Sequence, residues 1–267
     1  MLVAALATPF AGAVTFASDA AAQPTSRRAW LGVELSKATG GGVVAKHVIT
    51  NSPAGKAGLA DGDVLTTADG TALDDPSQLI ARVALVGPGN PLKLGFRRSG
   101  SDREVTVTLA PHPGNDQILR LDKVGTFAPN WKTLTAVAGQ LPPNIAHLRG
   151  RVVILDFWAT WCAPCRAMTP QLSKWHSALG AQGLSVLSVT GDAPKTATRT
   201  AQAWDMRYPA GADESEETLE LYGVRSLPTM FVIDKKGVIR EVFVGYDPGR
   251  HKEIEKLLKT LLAEQVK

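Results

Sequence analysis

Cys162 and Cys165 are the only cysteines among 267 residues, and the segment Cys162-Ala163-Pro164-Cys165 restricts the fold more than any other part of the chain. One pair cannot build the multi-bridge framework of small cysteine-rich domains, so these thiols act on each other or on a partner. Residues 152–157 form an apolar run interrupted only by Asp156, the pattern of a buried strand, and residues 164–179 read as a helix. Cys162 therefore stands where a helix begins, beside unpaired N–H groups and the positive end of the dipole, which favour a thiolate over a thiol. Cys165 lies one turn on, within the roughly 4.4–6.8 Å Cα separation that a disulfide spans. Such a pair exchanges disulfides in two steps. The Cys162 thiolate attacks a substrate disulfide, then Cys165 attacks the mixed disulfide and releases reduced product. Zinc would need a second Cys/His pair at ligand spacing, and His147, His176 and His251 stand apart in the sequence. Neither a metal nor any cofactor beyond the Cys162–Cys165 disulfide is expected.

The chain changes texture along its length. Residues 1–18 carry no charge and are followed by Asp19 and then Ala20-Ala21-Ala22-Gln23, a small-x-small cleavage pattern, so residues 1–22 read as an export signal and the mature protein as periplasmic or secreted. Within 27–111, short β-like runs at 29–35, 42–48, 63–68, 91–97 and 104–109 are separated by turns such as Gly40-Gly41-Gly42 and Asp69-Gly70, with one helix at 77–85. This is the pattern of a small, mainly-β domain. Pro111-His112-Pro113-Gly114-Asn115 breaks regular structure, and 112–123 reads as a linker. From 124 to 267 strands and helices alternate, with further helices at 194–204, 216–222 and 252–264, a second strand at 184–190, and a strand pair at 229–234 and 238–244. This is an α/β unit. The net charge of +4 comes from 29 basic and 25 acidic residues spread along the chain, which leaves no footprint for nucleic acid.

Several separated points of the second unit resemble the thioredoxin superfamily, in its exported TlpA/ResA-like branch. Val124-Gly125-Thr126-Phe127-Ala128-Pro129 resembles that branch's entry segment, Leu148-Arg149-Gly150-Arg151 its approach to the first central strand, and Trp158-Ala159-Thr160-Trp161-Cys162 its active-site lead-in. Pro170 matches the proline that kinks the thioredoxin active-site helix, and Ser226-Leu227-Pro228-Thr229 matches the loop whose proline is cis in this fold. The resemblance implies a thioredoxin-like fold, a central mixed sheet flanked by helices. It implies that Leu227 pairs its backbone with an incoming substrate strand beside Pro228. Asp156 has the position of the buried aspartate that takes the proton of the resolving thiol, and burial of an unpaired carboxylate raises its pKa. Asp192 falls where this branch carries an active-site glutamate, although it also reads as the N-cap of the following helix. Trp158 and Trp161 flank the cysteines and shape the partner surface, or Trp158 packs in the core. The partners implied are proteins carrying disulfides and a membrane thiol electron donor.

The first unit resembles a bacterial PDZ domain of the HtrA type through Trp30-Leu31-Gly32-Val33, Asn51-Ser52-Pro53-Ala54-Gly55-Lys56-Ala57-Gly58-Leu59, Asp61-Gly62-Asp63-Val64-Leu65 and Asp69-Gly70. In that family the loop matched by Leu31, Gly32 and Val33 offers N–H groups to a peptide's C-terminal carboxylate while the peptide adds as a strand, and Leu79, Ile80 and Val83 would face its side chain. No Ser/His/Asp set accompanies it, so a protease is not implied. The expectation is a thiol-disulfide oxidoreductase working as a reductant, with the PDZ unit recruiting partners. The alternatives are a disulfide-forming oxidant or isomerase, and a peptide-binding adaptor on a passive thioredoxin scaffold. The Pro-x-x-x-Thr-x-x-Cys pattern of peroxiredoxins is absent.

Overall fold

The computed structural model describes residues 28–131 and 133–265. The expected export signal at 1–22 lies outside the described residues. In the first unit the chain runs through β1 (Ala29–Trp30), β2 (Val33–Lys37), β3 (Val43–Val48), α1 (Pro53–Lys56), β4 (Val64–Ala68), β5 (Thr71–Ala72), α2 (Pro76–Val86), β6 (Pro91–Arg98), β7 (Ser101–Thr108) and β8 (Ala110–Pro111). The sheet has the order β2-β3-β4-β6-β7, with β5 beside β4, and β1 pairs separately with β8. Among the described residues, strand β2 therefore keeps one edge unpaired. Helix α2 starts at a capping box in which Asp75 accepts the N–H of Ser77 and Gln78 reaches back to the cap backbone, with Pro76 in the first turn. Its fully buried Leu79 joins Val43, Leu65, Leu92, Leu94 and Val107 in the core.

Residues 112–123, expected as a linker, contain helix α3 (Asn115–Lys123). Its start has no side-chain cap, which is why the sequence reads as irregular; what holds it is docking on both sides. Towards the first unit, Asn51 Nδ2 donates to the Leu121 carbonyl (2.8 Å) and the Val124 carbonyl (3.1 Å), and His47 lies between the carboxylates of Asp61 and Asp122, 3.2 and 2.9 Å from its ring nitrogens. Towards the second, Leu119 packs on the core and Arg120 forks onto Glu241 at 2.5 and 2.7 Å.

The second unit continues with β9 (Thr135–Ala138), β10 (Val152–Phe157), α4 (Ala163–Leu179), β11 (Leu184–Thr190), α5 (Pro194–Ala203), β12 (Ala210–Ala212), α6 (Glu217–Tyr222), β13 (Thr229–Ile233), β14 (Ile239–Val244) and α7 (His251–Ala263). The sheet order is β14-β13-β10-β11-β12-β9, with β10, β11 and β12 parallel and the other pairings antiparallel. This is a thioredoxin-like fold. Strand β10 is buried along its whole length, and its alternation divides the core. Val153, Leu155 and Phe157 face a layer with Tyr222 and Phe231, while Val152 and Ile154 face Met168, Leu172 and Trp175 of α4 and Ile254 and Leu258 of α7. Asp156, in phase with Val152 and Ile154, falls on the second side.

Strands β9 and β12 escaped the sequence reading. Ala210-Gly211-Ala212 lacks the branched residues that mark a strand, and close packing accounts for it: a Cβ on Gly211 would lie 2.8 Å from Leu141 and 3.0 Å from Leu134. Because Leu155 is fully buried in the central strand, Leu155→Ala is expected to cost about 2–5 kcal/mol, read as a lower urea midpoint for the second unit.

Candidate active site and peptide groove

Strand β10 delivers the chain to a loop of five residues, 158–162, and α4 begins at once behind it. Cys162 is the N-cap of α4, in extended conformation, and its Sγ accepts the N–H of Cys165 at 3.2 Å. The two residues are joined as a disulfide with a Cα separation of 5.3 Å. In the reduced state the same N–H, with the other free donors of the first helical turn, favours negative charge on Cys162. Pro164 fits the first turn, where no donor is needed. Further along, Pro170 removes one intrahelical bond, and the Thr169 hydroxyl donates to the Cys165 carbonyl at 3.2 Å.

The loop is fastened from the neighbouring strand. Asp192 Oδ2 accepts the backbone N–H of Thr160 at 2.6 Å and the Thr190 hydroxyl at 3.1 Å. The N-cap position of α5 is Ala193, with no side-chain cap, so the N-cap reading of Asp192 is corrected: its carboxylate is spent on the active-site loop instead. The two tryptophans separate. Trp158 is buried and packs against Trp204 at a ring distance of 5.3 Å, which makes it a core residue, whereas Trp161 is 76% exposed next to Cys162. Only Trp161 is free to touch a partner. Trp204 was not singled out in the sequence, since an isolated aromatic carries no signal of what it stacks on.

Leu227–Pro228 is a cis peptide bond, and Leu227 packs against the cluster that contains both cysteines. The Pro228 carbonyl accepts the N–H of Gly245 at 2.8 Å, while Leu227 makes no backbone hydrogen bond among the described residues. Its N–H and C=O are thus available next to the disulfide for an added strand. Asp156 is buried beneath this site with no partner for Oδ1, and desolvation lifts its carboxyl well above the ordinary carboxylate range.

In the first unit, Leu31 and Gly32 use their carbonyls, accepting from Ala54 and Ile49 (both 3.0 Å), but their own N–H groups make no hydrogen bond among the described residues. Gly32 has φ +83°, and a Cβ there would lie 2.1 Å from that of the buried Ser52. Val33 follows as the first residue of the open-edged β2. The loop and edge together have the form of a strand-addition groove. Helix α2 departs from expectation: Leu79 is fully buried in the core, which takes it out of any peptide contact, whereas Ile80 is exposed and Val83 is half-buried. Among the described residues no group of three His, Cys, Asp or Glu could hold a metal ion, and no helix is long and apolar enough to cross a membrane.

Comparison with known proteins divides the chain at the same place. The family model of the AhpC/TSA family matches residues 124–242, and that of the PDZ domain matches residues 29–109. The thiol-disulfide oxidoreductase ResA of Geobacillus thermodenitrificans (strain NG80-2) is 32% identical over 123 residues, which cover 46% of this chain and 70% of that protein. ResA of Bacillus anthracis is 29% identical over 124 residues, again 46% and 70%. Among solved structures, a thioredoxin-family thiol:disulfide interchange protein from Chlorobium tepidum TLS is 26% identical and covers 53% of this chain and 99% of its own, with a TM-score of 0.45.

Two outcomes follow from these environments. With the Asp156 carboxyl raised by burial, the folded chain holds a proton that the unfolded chain releases between the ordinary carboxylate range and the folded value; stability is therefore full at low pH and falls as pH rises. Asp156→Asn should raise stability at about pH 8 by on the order of 1–3 kcal/mol, change it little near pH 4, and flatten the pH dependence of the thermal midpoint. Gly32→Ala combines a left-handed backbone with a clash on Ser52, and should destabilise the first unit by at least about 1–3 kcal/mol, read as a lower urea midpoint.

Proposed function

The chain belongs to the ResA-like family of thiol-disulfide oxidoreductases, and on that premise we propose that it works outside the cytoplasm as a reductant of protein disulfides, with its PDZ unit recruiting the polypeptides it acts on. The observation that carries this reading is the Cys162–Cys165 pair at the start of α4, packed against a Leu227 whose backbone groups make no hydrogen bond among the described residues. In this reading a substrate strand pairs with Leu227 beside Pro228, and the exposed ring of Trp161, next to Cys162 in the chain, contributes to the partner surface. The Cys162 thiolate attacks one sulfur of the substrate disulfide, and the other leaves as a thiolate that takes a proton from solvent. Asp156 then accepts the proton of Cys165. The resulting thiolate attacks Cys162, forming the internal disulfide as the mixed one breaks, and the substrate's second sulfur leaves as a thiolate that takes a proton from solvent. A membrane thiol carrier returns two electrons to the pair.

Recruitment is supported by the way the units meet. A cleft of about 590 Å³ opens between them, walled by Glu34 and His47 of β2 and β3 on one side and by Arg225 and Ser226 on the other. Ser226 is two residues from Pro228. One cleft thus touches both β2, whose edge would take a peptide, and the residue that leads into the loop beside Cys162. Export is supported by the uncharged first 18 residues and the small-x-small run Ala20-Ala21-Ala22 that follows Asp19.

Equilibration of the full chain with glutathione or dithiothreitol buffers, followed by tryptophan fluorescence, should place the Cys162–Cys165 pair near or below about −220 mV; a value near −120 mV would make it an oxidant. Cys165→Ser should accumulate a mixed disulfide with a client and Cys162→Ser should accumulate none. Activity that survives Cys162→Ser would return the peptide-binding adaptor to first place.

A further inference from the structure

Resolution of the mixed disulfide moves a proton as well as electrons, and this inference rests on the dithiol reading given above. Asp156, once it has taken the proton of Cys165, must return it to solvent before the next cycle. It has no direct route, since it is only 3% exposed and lies in the fully buried strand β10.

Asp156 does border a small cavity of about 20 Å³, closed on its apolar sides by Met168, Met230 and Phe243 and bordered by Pro228. Ile254 closes it further, and the remaining wall comes from the β14–α7 connection and the start of α7: Gly245, Tyr246, Asp247, Arg250 and His251. A space of that size holds about one water, provided that two or more polar groups face it. Two buried atoms on its border lack a hydrogen-bond partner, Asp156 Oδ1 and His251 Nε2. The His251 ring is fixed between Trp175 and Tyr246, at centroid distances of 5.8 and 5.9 Å, and the residue is half-buried, so one edge of the ring meets the cavity while the residue still reaches solvent.

We propose that His251 is the exit for the Asp156 proton, linked to it by a single water held in this cavity. The protonated Asp156 gives its proton to the water, the water gives one to Nε2, and the imidazolium releases its Nδ1 proton to solvent; exchange of the neutral ring between its two tautomers through solvent then frees Nε2 for the next cycle. Recharging of the disulfide runs the same path backwards.

The neighbouring groups leave His251 as the carrier. Tyr208 faces Asp156 from another side, but burial first and the carboxylate second push its phenol far above the ordinary range, so it keeps its proton. The Asp247 carboxylate accepts the N–H of Gly249 at 2.8 Å and lies 3.8 Å from Arg250 Nε. Glu255 accepts from the Trp175 indole at 3.1 Å, and the Arg250 guanidinium stays charged and accepts nothing. His251 thus acts through Asp156 and touches neither sulfur.

The test is the single-turnover rate of the resolving step in the full chain, from about pH 5 to 9, for wild type, His251→Gln, His251→Ala and Asp156→Asn. Each His251 variant should slow resolution at least about fivefold and change its pH profile, while the initial attack by Cys162 and the potential at a fixed pH stay the same. Added imidazole should restore the rate of His251→Ala. In an Asp156→Asn background the His251 substitutions should have no further effect. Resolution at the wild-type rate and profile, full rescue by Gln, which can hold the water but not relay a proton, or a slowing that persists in the Asp156→Asn background would each overturn the proposal. A wild-type chain that turns over no disulfide would instead overturn the dithiol reading itself.

Discussion

Everything at the candidate site depends on one junction, where the buried strand β10 ends and helix α4 begins. Six consecutive buried residues hold the strand at the middle of the sheet, so the loop that follows has no freedom to move its start. The helix then supplies unpaired N–H groups at Cys162 and places Cys165 one turn further in, and both requirements of a thiol-disulfide centre are met by backbone geometry rather than by a charged neighbour. The Asp192 carboxylate on Thr160 N–H completes the arrangement by tying the free span of the loop to the adjacent strand.

The same strand also explains why a carboxylate lies under the dithiol. Alternation puts Asp156 in the layer beneath α4 and α7, where apolar side chains surround it on most sides. An acid in such a place is costly as a charge and inexpensive as a neutral group, so it readily holds a proton. Its place in the fold thus suits it to exchange protons with a buried thiol and makes the supply route for those protons a structural question.

The two units are connected by more than a tether. Helix α3 receives hydrogen bonds from Asn51 and a histidine contact on one side, and presents Leu119 and Arg120 to the other. Such a splint keeps Glu34 of β2 and Arg225–Ser226, just ahead of Leu227–Pro228, on the walls of one cleft. A freely jointed linker would leave their encounter to chance.

The sequence by itself determined the features that depend on local pattern: the strand–Cys-x-x-Cys–helix order, the alternating elements of the second unit, the glycine-rich turns of the first, and the cost of Asp156 in an apolar run. These are legible because each arises from residues within a few positions of one another. The tertiary structure decided what depends on distant partners. Nothing near Asp192 shows that it holds Thr160 rather than caps α5, nothing in Ala210-Gly211-Ala212 announces a strand, and neither tryptophan reveals whether it faces solvent or Trp204. Helix α3 belongs with these: its own residues are too few and too polar to hold a helix, and surfaces supplied by both units make it one.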